Sequence, residues 1–188
     1  MTADATRNSQ DFNIKNSKTA GIQEAIDALP AAGGTVFIPS GTHKIFRRIS
    51  LRSNVRVIGN GGATVIKRTP IFSTNLTKSV TPATRNVKVK DLKKLKPGHE
   101  VYIRSDRNYG WHSRHGIIVK VNKTSATVEF WDWNSHRTYR TRDNARLTNW
   151  FPAFWLENCE NSSVENLTID GGIRKHTGTL TDFVVAAV

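Results

Sequence analysis

Short runs of β-branched and aliphatic residues, separated by tight turns, fill the stretch from Gly33 to Lys67. The runs are three or four residues long, and the breaks at 39–41, 53–54 and 59–62 are rich in Gly, Pro, Ser and Asn. Strands of this length do not form a stable open sheet on their own. Short strands with a corner between each pair are typical of a chain that winds into stacked coils. The stretch therefore predicts a β-solenoid.

A similar pattern returns about one hundred residues later. The first copy is Leu51-x-x-x-Val55-x-Val57-Ile58-Gly59, and the second carries Leu156, Val164, Leu167, Ile169 and Gly171. Because a solenoid coil cannot bury its apolar face alone, two such coils should be neighbours in space. We therefore predict that Val55–Ile58 pairs in parallel with Val164–Ile169, that replacing Ile58 or Ile169 with Asp unfolds the coil, and that the residues between them form an insertion.

A short amphipathic helix is predicted before the first coil. Ile22, Ala25, Ile26 and Leu29 fall at i, i+3, i+4 and i+7, and Thr19 is placed to cap the helix. A helix at this position would cover the open end of the solenoid, where strand edges otherwise remain unpaired.

These segments resemble a known superfamily. Gly21 to Leu29 (Gly-Ile-Gln-Glu-Ala-Ile-Asp-Ala-Leu), followed by Gly33 to His43 (Gly-Gly-Thr-Val-Phe-Ile-Pro-Ser-Gly-Thr-His), resembles the N-terminal cap and first coil of pectate-lyase-like proteins. Val164 to Gly172 resembles a later coil. The superfamily comprises right-handed parallel β-helices and includes polygalacturonases and phage tailspikes. The likeness implies a mainly β fold, with a cap helix and first β-helix coils interrupted by a small antiparallel β-barrel-like module.

Charge and strand length separate the predicted insertion from its flanks. Residues 72–150 hold 16 Lys and Arg against 6 Asp and Glu, a net charge of +10 out of +13 for the whole chain. Longer antiparallel strands are predicted at 85–89, 100–104, 116–122 and 126–133. We therefore expect three segments: 1–71 with an N-terminal arm, cap helix and first coils, 72–150 as a basic β module, and 151–188 as further coils, truncated at the end of the chain.

Alternation on the strand 126–133 predicts where a ligand binds. Val128 and Phe130 should face the core, which leaves Trp131 and Trp133 on the other face. Flat rings beside cations suit an anionic sugar chain, because rings stack on sugar faces and guanidinium groups pair with carboxylates. The predicted substrate-binding residues are Trp131, Trp133, Trp111, Tyr109, Arg104, Arg107 and Arg114. The alternative is that these tryptophans dock the module and the lysines only solvate it.

Catalytic groups are not assigned by the sequence. His112 and His115 lie close to Asp106 but show no convergent spacing, and Asp170 in Thr-Ile-Asp-Gly-Gly is more typical of a turn. The hydrolase and lyase motifs of the superfamily are not matched, and the resemblance places them on later coils. An enzyme of this kind would be a polysaccharide lyase or glycoside hydrolase. No cofactor or metal is expected, and Ca²⁺ enters only through the resemblance.

Three functions are compatible with the sequence. The chain can be the N-terminal portion of a protein that acts on or binds an acidic polysaccharide, a non-catalytic carbohydrate-binding or adhesive β-helix, or a nucleic-acid binder that uses its basic insert. An extracellular or cell-surface location follows from the resemblance, although the first residues show no signal peptide. No membrane partner is expected, because no apolar run is long enough to cross a bilayer. The apolar segment Thr181–Val188 predicts self-association through an uncapped strand edge.

A single cysteine, Cys159, rules out an intrachain disulfide and a cysteine-based metal site. Its position between the two apolar runs of the second coil predicts a buried thiol at a corner.

Overall fold

The structure is a computed structural model that describes residues 17–107, 112–131 and 136–171, together with the backbone of residues 185–187. It contains two compact units. Unit 1 comprises Met1–Pro70 and Pro152–Val188, and unit 2 comprises Ile71–Phe151.

Strands dominate both units. The α-helix α1 spans Ile22–Asp27, and a 3₁₀ turn spans Thr141–Asp143. The strands are β1 Gly34–Phe37, β2 Gly41–Ile45, β3 Ile49–Leu51, β4 Val55–Arg68, β5 Ser73–Asn75, β6 Asn86–Val87, β7 Glu100–Arg104, β8 Arg114–Val121, β9 Ala126–Phe130, β10 Arg146–Thr148, β11 Phe154–Leu156, β12 Ser163–Asp170 and β13 Val185–Ala187. Within the described part of the chain, the helical segments are too short and too polar to cross a bilayer.

The first parallel sheet of unit 1 is built around β4. Strands β1 and β2 pair in parallel with successive halves of one edge of β4, and β12 pairs in parallel with the other edge. Val36, Val57 and Val164 are aligned across three strands. The predicted parallel pairing of the two distant apolar segments is therefore confirmed.

The path of β4 differs from the prediction at its glycine-rich centre. The run 59–62 predicted a turn, but β4 continues through it, and the register against β12 shifts on both sides of Leu167. Gly59 is required here because a Cβ at this position would lie 2.7 Å from the Asn166 carbonyl oxygen. Asn166 itself has a left-handed φ of 54°. The glycine-rich stretch therefore allows two strands of unequal length to remain paired, as in a β-bulge.

The burial pattern along β4 shows that Ile58 does not lie in the core, contrary to the prediction. Val55, Val57 and Ile66 are fully buried, whereas Ile58 is half-buried on the opposite face. Its Cα partner on β1 is Phe37, which is 50% exposed. Ile169, the other residue predicted to be in the core, is also only half-buried. The substitutions to Asp that were predicted to unfold the coil would act more strongly at Val57 or Ile66.

A second parallel sheet contains β3, β11 and β13. Ile49 and Leu51 are aligned with Phe154 and Leu156, and Phe154 is in turn aligned with Val185. Ile49 and Phe154 are fully buried. Both parallel sheets therefore join segments that are about one hundred residues apart in sequence.

Asparagine corners stack between these sheets. Asn54 and Asn161 both adopt left-handed φ angles, of 62° and 53°, and the Asn161 side-chain amide donates to the Asn54 side-chain oxygen at 3.2 Å. The N–H of Asn54 donates to the Glu160 carbonyl at 2.8 Å, and the N–H of Gly34 donates to the Asn54 carbonyl at 2.9 Å. Asparagine tolerates this conformation and satisfies the turn backbone, as expected for the Asn-bearing corner in both copies of the pattern.

The thiol of Cys159 lies next to the same corner. It is half-buried, less than predicted, and Sγ donates to the Leu51 carbonyl at 3.1 Å. Its contact with the end of β3 supports a structural role.

Helix α1 packs against β1 and β3, with Ile22 and Ile26 fully buried. The Gln23 side chain pairs with the backbone of Ser50 on β3: its amide donates to the Ser50 carbonyl at 3.1 Å and its oxygen accepts from the Ser50 N–H at 2.7 Å. The helix thus satisfies polar groups at a strand edge, which is the role predicted for it.

The start of α1 differs in detail from the prediction, since Gly21 occupies the N-cap position. Thr19 still contributes to the first turn, because its hydroxyl accepts from the Gln23 N–H at 3.3 Å and donates to the Glu24 carboxylate at 2.8 Å.

Unit 2 is a curled antiparallel sheet of six strands in the order β5-β10-β7-β8-β9-β6. Its two edge strands approach each other where Leu76 bridges Val89 and the Lys90 N–H donates to the Asn75 carbonyl at 2.9 Å. The enclosed core includes Val101, Ile103, Ile118, Val128 and Leu147. The predicted strand 100–104 has the observed bounds, whereas β8 starts two residues earlier than predicted and β9 ends at Phe130.

Candidate functional site

The outer face of the unit 2 sheet carries the aromatic residues that the sequence singled out. On β9, Val128 and Phe130 are buried in the core, Glu129 is exposed, and Trp131, which follows the strand, is half-buried. The predicted orientation of these four residues is therefore confirmed. On β7, Val101 and Ile103 face the core, which leaves Tyr102 and Arg104 on the outer face.

One row of outer side chains crosses five strands. Strand pairing aligns Ser73, Thr148, Tyr102 and His115, and the Trp131 N–H donates to the His115 carbonyl at 2.9 Å. The His115 ring stacks on Tyr102 on one side, with centroids 5.4 Å apart, and on Trp131 on the other, at 6.3 Å. Rows of this kind form because directly opposite residues on neighbouring strands bring their side chains into contact.

Trp150 adds a fourth ring to this row. It meets Tyr102 edge-on at 5.9 Å and lies tilted to His115 at 6.4 Å. We call Tyr102, His115, Trp131 and Trp150 the aromatic row.

Tyr102 is the ring of the aromatic row that is closed to solvent, together with the neighbouring Thr148. Tyr102 is 4% exposed and Thr148 is 2% exposed. Burial raises the pKa of the Tyr102 phenol, which is opposed by the nearby Arg104 and Arg146 charges. The other three rings, His115, Trp131 and Trp150, are half-buried.

A second row on the same face is polar and cationic. Strand pairing aligns Asn75, Arg146 and Arg104 on β5, β10 and β7. Arg146 is paired with Asp106 at 2.8 Å, and Asn144 donates to the other oxygen of the same carboxylate at 3.1 Å. Arg104 is half-buried and lies two residues from Tyr102 on the same strand. The structure therefore places Arg104 and Trp131 on one face of the sheet.

Arg114 is a correction to the predicted site. It is fully buried, its guanidinium lies 4.3 Å from the centre of the Phe130 ring, and it donates to the Thr81 carbonyl at 3.3 Å. Strand β8 begins at Arg114, so this residue shares the inward face with Ile118. Arg114 thus lies in the interior of unit 2 and cannot contact a polymer at the surface.

Of the other residues predicted to bind substrate, the structure describes Arg107 but not the three aromatic residues. Arg107 is exposed at the end of the described segment 17–107. Tyr109, Trp111 and Trp133 lie outside the described residues.

Tyr139 is a buried group in the interior of unit 2. Its hydroxyl donates to the His112 carbonyl, and burial raises the pKa of the phenol to about 12 despite the nearby Arg114 and Arg137 charges.

The acid–base candidates do not form one site. The Asp106 carboxylate is held by Arg146 and Asn144, whereas His115 is stacked in the aromatic row and its Nε2 lies 3.1 Å from the Ser113 hydroxyl. No group of three His, Cys, Asp or Glu side chains within residues 17–107, 112–131 and 136–171 could hold a metal ion.

Asp170 is not in a turn but at the end of β12, where it pairs with Lys67 at 2.9 Å. Strand pairing aligns Lys44 with the same Lys67. A second ion pair on this sheet joins Arg56 and Glu165 at 3.0 Å. Hydrogen bonds from Arg56 and Ser163 lower the pKa of the Glu165 carboxyl.

A cavity of about 290 Å³ lies along β12 in unit 1. Its apolar lining comes from Leu156, Val164, Leu167 and Ile169, and its polar lining from Ser162, Ser163, Glu165 and Asn166.

Two members of the aromatic row, Tyr102 and Trp150, were missed by the sequence reasoning. The signal for Tyr102 was present, because it alternates with Val101 and Ile103 in a strand whose bounds were predicted correctly. Trp150 follows the short strand β10, which the sequence did not predict, so no alternation identified its face.

Comparison with known proteins now gives the family. The family model for rhamnogalacturonase A/epimerase, pectate lyase-like proteins matches residues 6–183. The chain belongs to this family. The superfamily resemblance carried by Gly21–His43 and Val164–Gly172 is thereby confirmed.

The curated relatives are enzymes of Azotobacter vinelandii. Mannuronan C5-epimerases AlgE3 and AlgE1 are each 36% identical over 104 residues, which covers 44% of this chain. Mannuronan C5-epimerase AlgE2 is 39% identical over 75 residues. The chain spans only 6% to 8% of the length of these relatives.

Solved structures of phage tailspikes show a low overall similarity. Tailspike gp61 of Pseudomonas phage phi297 matches with a TM-score of 0.38 and 16% identity, over 80% of this chain and 31% of that chain. The gp54 tailspike of Acinetobacter baumannii bacteriophage AP22, solved with a capsular saccharide, matches with a TM-score of 0.37 and 14% identity, over 73% and 26% of the two chains.

Proposed function

We propose that this chain is part of an extracellular protein that binds and acts on an acidic polysaccharide, most simply a polymer of uronic acid. The observation that carries this proposal is family membership over residues 6–183, together with 36% identity to enzymes named for their action on mannuronan. Mannuronan carries one carboxylate on each sugar, so a protein that holds it must supply cations along an extended surface.

Unit 1 is proposed to be the first coils of a right-handed parallel β-helix. Two parallel sheets each join segments one hundred residues apart, and Asn54 and Asn161 stack at the corner between them. The cavity of about 290 Å³ along β12 has the apolar lining that a further coil would cover.

Unit 2 is proposed to contribute the charge. Residues 72–150 hold a net charge of +10, and Arg104 lies on the same face as Trp131. Trp131 is proposed as the ring of the aromatic row on which a sugar stacks, because it is half-buried whereas Tyr102 is buried. Charge alone gives binding that falls steeply with salt, whereas stacking adds a part that resists salt and depends on ring shape.

The test measures binding of the full chain to polymannuronate, polygalacturonate, single-stranded DNA and a neutral glucan, at low and high salt. We expect both acidic glycans to bind and the neutral glucan not to bind. Replacing Trp131 and Trp133 with Ala should remove the binding that remains at high salt, while Trp131→Phe, which keeps a ring, should retain most of it. The expected stacking contribution is on the order of 1 kcal/mol per ring.

Two results would overturn the proposal. Tighter binding of DNA, with a steeper dependence on salt, would favour the nucleic-acid function. Absence of binding to either acidic glycan at low salt, together with a loss of stability in the Trp131→Ala variant, would show that the tryptophans only dock the module.

Action on the polymer is tested separately. Incubation with polymannuronate followed by proton NMR would detect epimerised or unsaturated residues. An unchanged polymer that is nevertheless bound would assign the non-catalytic, adhesive function instead.

A further inference from the structure

Lysine and arginine are segregated within unit 2. Seven lysines occur in two stretches, residues 88–96 and 120–123, which contain no arginine. All seven are exposed, and we call them the lysine end: Lys88, Lys90, Lys93, Lys94, Lys96, Lys120 and Lys123. The eight arginines of residues 72–150 lie outside these stretches.

Strand pairing brings the two stretches together. Lys120 is aligned with Thr127 on β9, and Thr127 is aligned with Asn86 on β6, two residues before Lys88. Because neighbouring strands are about 4.8 Å apart, Lys120 and Asn86 are separated by only about 10 Å. On the other side of β8, the Gly98 N–H donates to the Ile118 carbonyl at 2.7 Å, which places Lys96 beside the end of the same strand.

The loop between β6 and β7 presents its lysines outward because its leucines point inward. Leu95 is buried and Leu92 is half-buried against the unit 2 core, while Lys93, Lys94 and Lys96 are exposed. The Lys94 ammonium lies 5.2 Å from the centre of the Phe72 ring.

The lysine end is not neutralised by its own acidic residue. Within the described residues, none of the seven lysines forms an ion pair. Asp91 is the acidic residue of the stretch 88–96. Its carboxylate accepts a hydrogen bond from the Lys93 backbone N–H at 2.9 Å and therefore stabilises the turn. Seven like charges on one surface repel each other, and a polyanion would relieve this repulsion.

We propose that the lysine end is the surface on which unit 2 holds the carboxylates of an acidic polysaccharide. This inference rests on the proposed function and names the surface that performs it. Lysine suits the task because its flexible, strongly hydrated ammonium follows a chain of regularly spaced carboxylates without demanding one fixed geometry. The polymer would be held electrostatically at the lysine end and would stack separately at Trp131.

A polysaccharide fits this surface better than a single-stranded nucleic acid. Bases require aromatic platforms on which to stack. Phe72 is the aromatic ring in contact with a lysine here, and it is half-buried beneath Lys94.

The test compares two quadruple variants of the full chain. The first is Lys88→Gln, Lys96→Gln, Lys120→Gln and Lys123→Gln. The matched control is Lys78→Gln, Arg85→Gln, Arg140→Gln and Arg142→Gln, which removes the same four charges from exposed positions outside the lysine end. Circular dichroism should show the same unfolding midpoint for both variants, because all eight side chains are exposed.

Binding to polymannuronate is then measured at several salt concentrations. Exposed charge contacts are worth about 1.4- to 5-fold each in affinity, so removal of four of them should raise Kd by at least about fourfold in the lysine variant. The slope of log Kd against log salt should also fall, by less than 0.7 per lysine because a polyuronate is less densely charged than a nucleic acid. The control should change Kd less than threefold.

Each of the other outcomes would overturn a different part of the proposal. Equal losses in both variants would show that net charge alone drives binding and would refute the lysine end as a site. A larger loss in the control would move the site to the arginines. If the lysine variant loses binding to single-stranded DNA more strongly than to polymannuronate, the partner is a nucleic acid. Absence of wild-type binding at low salt would instead refute the proposed function.

Discussion

Replacing Gly33 with alanine should destabilise unit 1 by about 2 kcal/mol, because this glycine lies where two corners meet. Its φ of 93° lies in a region that residues with a Cβ rarely adopt. A Cβ built at this position would lie 2.1 Å from the Asn54 carbonyl oxygen, which belongs to the next corner. The substitution therefore strains the backbone at Gly33 and also pushes this corner away from the Asn54 corner.

The magnitude follows from three contributions. Backbone strain at positive φ costs about 1–2 kcal/mol for alanine. Displacement of Asn54 breaks the hydrogen bond from the Gly34 N–H, 2.9 Å long, which costs about 1 kcal/mol. Alanine restricts the unfolded chain and returns about 0.4–1 kcal/mol.

Gly62 provides the matched control in the same unit. A Cβ at Gly62 meets no atom within 4 Å. Gly62→Ala should therefore leave stability unchanged or raise it by up to about 1 kcal/mol. Urea unfolding followed by circular dichroism gives the difference, and hydrogen exchange at the Gly34 amide locates it in unit 1. Equal midpoints for the two variants would refute the stacked corners.

Three single contacts and one open strand edge give four further predictions. Gln23→Ala should destabilise unit 1 by about 1 kcal/mol, measured by thermal unfolding, and Gln23→Glu should not restore stability because its carboxylate cannot donate to the Ser50 carbonyl. Because the folded pKa of Tyr139 is raised to about 12, its contribution to stability is complete below pH 10 and is lost as pH rises through about 12; Tyr139→Phe should remove this alkaline loss in a pH series of unfolding midpoints. Because the folded pKa of Glu165 is lowered, its contribution is present above the ordinary carboxyl range and is lost as pH falls through the folded pKa, so Glu165→Gln should flatten the acid limb of the same series. Sedimentation velocity should show self-association that increases with concentration, because the described residues place no strand on the outer edge of β12, and a monomer at every concentration would contradict this.

The pairing of distant segments could be predicted because burial fixes strand register. A shift of one residue would turn Val57 and Val164 to the wrong face, so the two apolar patterns exclude such a shift. The corners were predictable for a similar reason, since Asn54 and Asn161 suit left-handed turns.

The centre of β4 could not be predicted from local sequence. Residues 59–62 carry the composition of a turn, and the chain remains extended there because β12 pairs along both halves of the strand. Tertiary pairing thus overrides local preference, as is common for strands.

Arg114 shows how a strand boundary decides a site. The predicted strand began at Gly116, which left Arg114 outside the alternation. Extending that strand by two residues places Arg114 on the face of Ile118, inside the core. The face of a charged residue at a strand end therefore depends on a boundary that local sequence defines poorly.

The most direct test of the account is a disulfide between the two segments that form its parallel coils. Arg56 and Ser163 are Cα partners on neighbouring strands, about 4.8 Å apart, within the range that a disulfide spans. Cysteines at both positions, in a Cys159→Ser background, should form an intramolecular bond under mild oxidation, detected by mass spectrometry after proteolysis. The control pair, Arg56→Cys with Asp170→Cys, places the second thiol seven residues farther along β12, about 23 Å away, and should not crosslink. Efficient crosslinking of the first pair alone is the predicted result, and its absence, or equal crosslinking of both pairs, would contradict the stacked coils.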